Sequence, residues 1–560
     1  MKVDLKASQA ERAAQLQKPS KGYFFFGNKE YPRVKWWTRP NMRKLYFYCF
    51  VLIFVNIANG FDGSMMNSLQ SLPYWQNFFG HPEGVTLGLL GSAMSLGSLI
   101  TMGAVPWVCD TLGRKKGVII GSVTTIIGVV LQSSAPNYNA FLASRFIIGA
   151  GMTLSTNAGP LLCAEIAFPQ DRAIITTFMG CSYAVGSFVA AWTTYGTLKI
   201  ESDWAWRLPS LLQAWATLIV FAVIWWIPES PRYWIARDQD EKAIEVLAKY
   251  HAEGDKDDPF VQTEFREIRA AFDLDRMNQT NTRWSDLYST KGNRHRMSLV
   301  IALAVFGQWS GNGIIAYYLK LVLDSVDIKS PSDQLGINGG SKAMSLLVNL
   351  AVAFYIDKLG RRPILMISTL GMTICFIIWT ILSAQHDLGG RSNPNLGRGV
   401  VAVMYMYNFS YNLKTGMPMT YTIEIMPFGL RAKTDRASRL ILHIYQAAMI
   451  GGFITMAAVF FNQFINPSAL KALAWRYYIV YCVFLGFEVW FIYFFVVETR
   501  YVPIEEIAKF FDGEKNDVLA ATTAAEKLDR VESGVIETEN VEDASNNTAN
   551  ARRAPEAKDG

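Results

Sequence analysis

Apolar residues along this chain come in long blocks rather than in single core positions. A helix of about twenty mostly apolar residues crosses a bilayer. Twelve such blocks stand near residues 45–70, 85–107, 117–134, 139–164, 173–195, 206–227, 297–324, 338–356, 363–384, 399–424, 437–461 and 475–497. Short polar turns separate them. Longer polar stretches lie at 1–44, 228–296 and 499–560. The pattern predicts an all-α polytopic membrane protein with twelve transmembrane helices. Its expected divisions are an N-terminal segment at 1–44, a six-helix bundle at 45–227, a loop with short helices at 228–296, a second six-helix bundle at 297–498 and a tail at 499–560. Helix-like runs in the loop cover Glu241 to Tyr250 and Val261 to Phe272. Beyond Phe511 the tail is rich in Ala, Glu, Asn and Thr with few large apolar residues, and disorder is expected there.

Composition supports this picture. Of 560 residues, 51% are hydrophobic and only 18% charged, against about 25% charged in an ordinary soluble domain. Mean hydropathy is +0.15. These values exclude a disordered, fibrous or disulfide-scaffold protein. The net charge of +6 is too mild to suggest nucleic acid. The six cysteines are scattered, with no His at ligand spacing, so neither a metal site nor a cofactor is signalled. With no nucleotide-binding loop or catalytic constellation, neither an enzyme nor an ATP-driven pump is favoured.

The placement of basic residues orients the chain. Arg43, Lys44, Arg114, Lys115, Lys116, Arg172, Arg232, Arg294, Arg296, Lys358, Arg361, Arg362, Arg431 and Lys433 fall on one face. An excess of Lys and Arg marks the cytoplasmic side, so both termini are expected inside, in a monomer seated in the lipid bilayer.

The two bundles echo each other. Asp110-Thr-Leu-Gly113-Arg114-Lys115 matches Asp357-Lys-Leu-Gly360-Arg361-Arg362, and Glu165 with Arg172 matches Glu424 with Arg431 at the same spacing of seven. Pro228-Glu229-Ser-Pro-Arg232 is echoed more weakly by Glu498-Thr-Arg500. Like motifs on one face require an even number of spans per repeat, and six fits the duplicated plan of many transporters. These charges sit where spans meet the cytosol. One reading makes them latches that hold one access state and break in the other. Static surface ion pairs, worth about 0–1 kcal/mol each, are the plainer reading.

Ionisable groups inside spans are candidates for function. Asp62 in the first span and Arg145 in the fourth sit at matched depth, about 9–15 Å below the outer surface at 1.5 Å per residue. Burial favours a neutral acid and a neighbouring Arg a charged one. A carboxylate between these effects can take a proton from outside and release its partner; a permanent structural pair is the alternative. In the seventh span Gln308 and Asn312 lie four apart, on one helix face, with Trp309, Tyr317 and Tyr318 nearby. Amides donate and accept hydrogen bonds, and rings cover apolar C–H faces, so the set suits a polyhydroxylated ligand. The amides would otherwise bridge helices, and Asn412 is open to both readings. Lys414 in the tenth span faces an acidic ligand group, pairs with an acid such as Asp62, or snorkels.

Together the Asp-x-x-Gly-Arg repeats, Pro228-Glu-Ser-Pro-Arg232, the Glu165/Arg172 and Glu424/Arg431 pairs and Glu498-Thr-Arg resemble the sugar-porter family of the major facilitator superfamily. Gly60-Phe-Asp62-Gly63, Gln308-Trp-Ser-Gly-Asn312 and Lys249-Tyr-His251-Ala-Glu-Gly254 are similar to the fungal lactose and cellodextrin permeases of that family. The resemblance implies the major facilitator fold and import of a sugar, a disaccharide such as lactose or cellobiose, by alternating access with proton symport across the plasma membrane. It makes Asp62 the protonated carboxylate and Arg145 its partner, with Gln308 and Asn312 on the sugar. It gathers Asp110, Arg114, Glu165, Arg172, Asp357, Arg361, Glu424 and Arg431 into a cytoplasmic gate, which Glu229, Arg232 and Glu498 would extend. Met419 aligns with a Trp that usually stacks on sugar, Gly180 with a usual amide, and Lys414 stands where the fungal proteins tend to be aromatic. Those departures leave open a monosaccharide, a sugar acid or another small metabolite, and a non-transporting sugar sensor is the rival from another class.

Overall fold

The computed structural model describes residues 22–26, 29–279, 288, 290–389, 393–425, 437–499 and 511. Helices dominate. The first half holds α1 (Pro40–Leu69), α2 (Gly84–Met102), α3 (Arg114–Ser133), α4 (Tyr138–Ile166), α5 (Arg172–Thr197), and a sixth passage made of α6 (Trp204–Leu212) and α7 (Ala214–Val223). The loop contributes α8 (Asp240–His251) and α9 (Pro259–Gln279). The second half opens with a broken passage, α10 (Lys291–Trp309), α11 (Asn312–Tyr317) and α12 (Leu319–Ser325). It continues with α13 (Pro331–Leu359), α14 (Arg361–Leu388), α15 (Pro394–Asn412), α16 (Met417–Ile425), α17 (Ala437–Leu473) and α18 (Tyr477–Phe495).

Helix occupies all twelve predicted blocks. Among the described residues, nine helical stretches are long and apolar enough to cross a membrane, the last of them running through both α17 and α18. The blocks at 338–356 and 399–424 are not in that set. The first carries Asn338, Ser341, Lys342, Ser345 and Asn349, and the second is interrupted at Leu413–Gly416. Helix suits lipid because it satisfies every backbone N–H and C=O within one segment. Pro40, Pro331 and Pro394 begin helices, where the missing N–H has no partner to lose. Phe354, Ile367, Trp226 and Phe494 stay exposed on the outside, as a lipid-facing belt requires.

Small residues let the backbones touch. A Cβ on Gly60 of α1 would stand 2.0 Å from the Tyr183 carbonyl of α5. On Gly186 of α5 it would stand 2.0 Å from the Ile57 carbonyl. Close approach of this kind is how helices pack where lipid removes a hydrophobic drive.

The halves meet along two seams, α5 on α13 and α2 on α17. The end remote from the loop helices is sealed across them. Lys471 Nζ reaches Glu83 at 2.8 Å, Gln70 donates to the Tyr317 carbonyl at 2.8 Å, and Asn338 donates to Ser68 at 2.8 Å.

A small hairpin precedes α1. Strands β1 (Tyr23–Phe26) and β2 (Lys29–Pro32) pair antiparallel with Phe24 opposite Tyr31, and Phe24 packs on Phe168 and Phe260. The polar character of 1–44 gave no expectation of it, although Gly27-Asn28 between aromatic runs is a hairpin signal. The tail beyond 511, where disorder was expected, lies outside the described residues.

Candidate functional site

In the first half, α1 and α4 bring Asp62 and Arg145 together as their depths required. Arg145 Nη1 bonds Asp62 Oδ1, and the Asp62 side chain has 0% exposure. Gln213, at the break between α6 and α7, donates to the same oxygen at 2.7 Å. The second oxygen, Oδ2, is buried with no partner among the described residues. A buried polar atom left unpaired is costly, so Asp62 holds one filled and one vacant acceptor position.

Several side chains beside this pair combine two properties. Tyr183 is 42% exposed yet lies deep in the protein, with Tyr317, Asp62 and Tyr411 as electrostatic neighbours. Tyr317, Tyr411 and Lys342 are likewise part-exposed and deep in the protein. Part-exposed side chains this deep in the protein are what the wall of a central cleft presents. The passage α10–α11 breaks at Gly311, in the left-handed region at φ +95°. A Cβ there would stand 2.3 Å from the Phe376 ring, so the position is restricted to glycine on both grounds. Gln308 and Asn312 flank this break, part-exposed, and among the described residues neither amide side chain has a hydrogen-bond partner. The Gln308 carbonyl accepts from Asn462 of α17 at 2.5 Å. The site therefore offers two free amides, aromatic rings and a carboxylate with a vacant oxygen.

Two other candidate ligand residues have protein partners in this structure. Asn412 spends its amide on Ser345 at 3.1 Å and on the Asn408 carbonyl at 2.6 Å, so it ties α15 to α13. Lys414 meets neither Asp62 nor open water. It pairs with Glu488 of α18 and donates to Ser310 at 3.0 Å, with side-chain exposures of 3% and 1% for Lys and Glu. Glu488 was passed over in the sequence, though a lone acid in Phe487-Glu-Val489 was signal enough. Lys342 and Tyr183 were also missed. The Met419 side chain lies outside the described part.

At the loop end the repeated motifs fold alike. In the first half Arg114 binds Glu165 at 3.1 Å and Asp110 at 3.6 Å. Glu229 accepts from the Ser230 amide at 3.0 Å and the Lys115 amide at 3.2 Å, capping α3. In the second half Arg361 binds Glu424 at 2.8 Å, and Glu498 accepts from the amides of Arg361 and Arg362 at 3.0 Å each. Gly113 and Gly360 have φ of +103° and +89°, and a Cβ on either would run into the capping carboxylate, at 2.4 and 2.9 Å. A carboxylate at a helix N-terminus meets free N–H groups and the positive end of the helix dipole.

Two gate residues, Arg172 and Arg232, have surroundings other than those expected. Arg172 binds Glu264 of α9 at 3.5 Å rather than Glu165, because Glu165 is engaged by Arg114 while α9 is fixed beside it by the His251–Glu264 contact at 2.7 Å. The Arg232 side chain is exposed, and none of the described residues pairs with it. The described latch pairs close within a half, so they brace each bundle and do not bridge the seam. The Asp357 side chain and Arg431 lie outside the described part.

Helical spans that carry ionisable groups at depth, with the same brace motif repeated at one end of both halves, are the plan of a transporter of the major facilitator kind. A family described as Sugar (and other) transporter matches residues 48–511; the chain belongs to it and is a membrane sugar transporter, not an enzyme. It is 28% identical to the MFS-type transporter oryC of Aspergillus oryzae, over 74% of each chain. It is 26% identical to the high-affinity glucose transporter of Kluyveromyces lactis, over 84% of this chain and 85% of that protein. In fold it matches the inward-open xylose transporter XylE of E. coli, with a TM-score of 0.66 at 18% identity, covering 83% of this chain and all of that one (100%).

Proposed function

We infer that the chain imports a hexose-sized sugar across the plasma membrane by alternating access, coupled to a proton carried on Asp62, with both termini cytoplasmic. The observation that carries the coupling is the vacant Oδ2 of Asp62, buried beside Arg145 and the cavity tyrosines. A proton on that oxygen neutralises the carboxylate and weakens the hold on Arg145, which frees α1 to move against α4. Sugar binds between Gln308 and Asn312 on one side and the tyrosines on the other. The sealed far end then corresponds to an inward-facing state, and the braces at the loop end keep each bundle rigid while the two rock. The substrate size follows a glucose-carrying relative. The disaccharide expectation rested on resemblance to lactose and cellodextrin permeases, and no such carrier is among the relatives named above.

Asp62→Asn tests the coupling. It fixes the neutral state, so it should abolish pH-driven accumulation in proteoliposomes while sugar counterflow continues. If accumulation persists under an inward proton gradient, the assignment is wrong. A purified wild-type chain that moves no sugar would instead identify the sensor.

A further inference from the structure

Among the described residues, each ionisable side chain inside the spans near the cavity has a partner of opposite charge except one. Arg145 has Asp62 and Lys414 has Glu488. Lys342, halfway along α13, has no ion-pair or hydrogen-bond partner among the described residues. Its side chain is part-exposed, as are those of Tyr317 and Tyr411.

Helix geometry fixes which way Lys342 faces. Asn338, Lys342, Ser345 and Asn349 recur at spacings of four, three and four, one stripe of a helix. Asn338 reaches Ser68 of α1 at 2.8 Å, and Ser345 receives Asn412 of α15 at 3.1 Å. On the neighbouring face, Gly339 abuts the Trp192 ring of α5, 3.2 Å from a Cβ built there. Lys342 therefore projects between both halves, toward the space that the tyrosines line.

An ammonium held in such a place without a counter-charge is unfavourable. The missing charge has room to come from the cargo. We propose that Lys342 is the anion-reading residue of the substrate site, and that the substrate is a hexose-sized sugar acid. Its hydroxyls meet Gln308 and Asn312, and its carboxylate pairs with the Lys342 ammonium. This rests on the transport reading and narrows its substrate class. It also moves the acidic-ligand reading from Lys414, whose charge is already spent on Glu488, to Lys342.

Binding and flux are measured separately. Detergent-purified full-length protein is titrated with the hexuronates and hexonates of glucose and galactose, and with the neutral parent hexoses, following thermal stabilisation and tryptophan fluorescence. At least one acid should bind ten-fold or more tighter than its parent. Lys342→Met should erase that preference and Lys342→Arg should keep it. Loss of the ratio in Lys342→Met, with retention in Lys342→Arg, excludes simple misfolding. No acid binding tighter than its parent, or a preference that survives in Lys342→Met, overturns the proposal. Counterflow in proteoliposomes tests the other reading. Acid binding without any flux sinks transport and leaves the anion site standing, whereas hexose flux without acid preference does the reverse.

Discussion

At the scale of single residues, buried charge determines what each span can tolerate. Lys414 and Glu488 are both almost fully buried, and they are tied to Ser310, the residue at which α10 ends. Removing one partner leaves the other charged and uncompensated, which costs about 3–5 kcal/mol, whereas replacing both by apolar groups of similar volume is often neutral. Lys414→Met alone should therefore lower detergent-solubilised thermal stability sharply, and Lys414→Met with Glu488→Leu should recover most of it. A single mutant as stable as wild type would show that the pair carries no such role. The two halves of this pair differed in legibility. Lys414 stood out in the sequence because Gly416 and Pro418 broke the apolar run around it. Its partner is separated by 74 residues, and only tertiary packing selects Glu488 over Asp62. Asp62 and Arg145 could be matched from sequence because the bilayer supplies a common depth axis. No comparable rule indicates which face of a span looks inward, and so Lys342 and Tyr183 went unnoticed.

At the scale of elements, the helix starts at Arg114 and Arg361 show how a short motif becomes geometry. Glycine takes the left-handed turn, the next residues expose free amides, and a carboxylate from just beyond α7 or α18 covers them. The motif repeat was plain in the sequence, and so was its location at one end of the spans. Its partners were not, because Glu165, Glu229 and Glu264 were all within reach of several cations, and packing of α9 decided among them. Glu229 also carries a pH signature. Burial, the largest influence, pushes its carboxyl up from the ordinary value of 4.5, against the Ser230 and Lys115 amides and the Arg114 charge that pull it down. Between pH 4.5 and the folded-state value the folded chain then holds a proton that the unfolded chain has released. Stability contributed by this group is thus complete below 4.5 and falls as pH rises through the folded-state value. Glu229→Gln cannot titrate. Its melting temperature relative to wild type should therefore climb as pH rises from 4.5 through the folded-state value, and a difference that stays flat with pH would assign the cap no net burial cost.

At the scale of the whole molecule, function depends on which seam is closed. The polytopic helical plan and the repeat of its charged motifs were legible from hydropathy and charge alone, since lipid imposes length and the cytosol imposes sign. The access state did not follow, because it depends on contacts between the halves that no local pattern encodes. Here the far end is held by close backbone contact as well as by side chains. Gly88 of α2 lies against α17, where a Cβ would stand 2.5 Å from the Phe464 carbonyl. The Lys471–Glu83 bridge above it is about two-thirds exposed on both partners and contributes little, about 0–1 kcal/mol. The seal therefore rests on the glycine, and the ion pair is secondary. Gly88→Trp cannot be accommodated without separating α2 from α17, so it should hold the far end open. Cysteines placed at Tyr317 and Gln463 should become more reactive toward a membrane-impermeant maleimide from outside, and sugar uptake should fall, whereas Lys471→Ala should change labelling little. If Gly88→Trp leaves outside labelling at the wild-type level, the seam between α2 and α17 is not what closes this end.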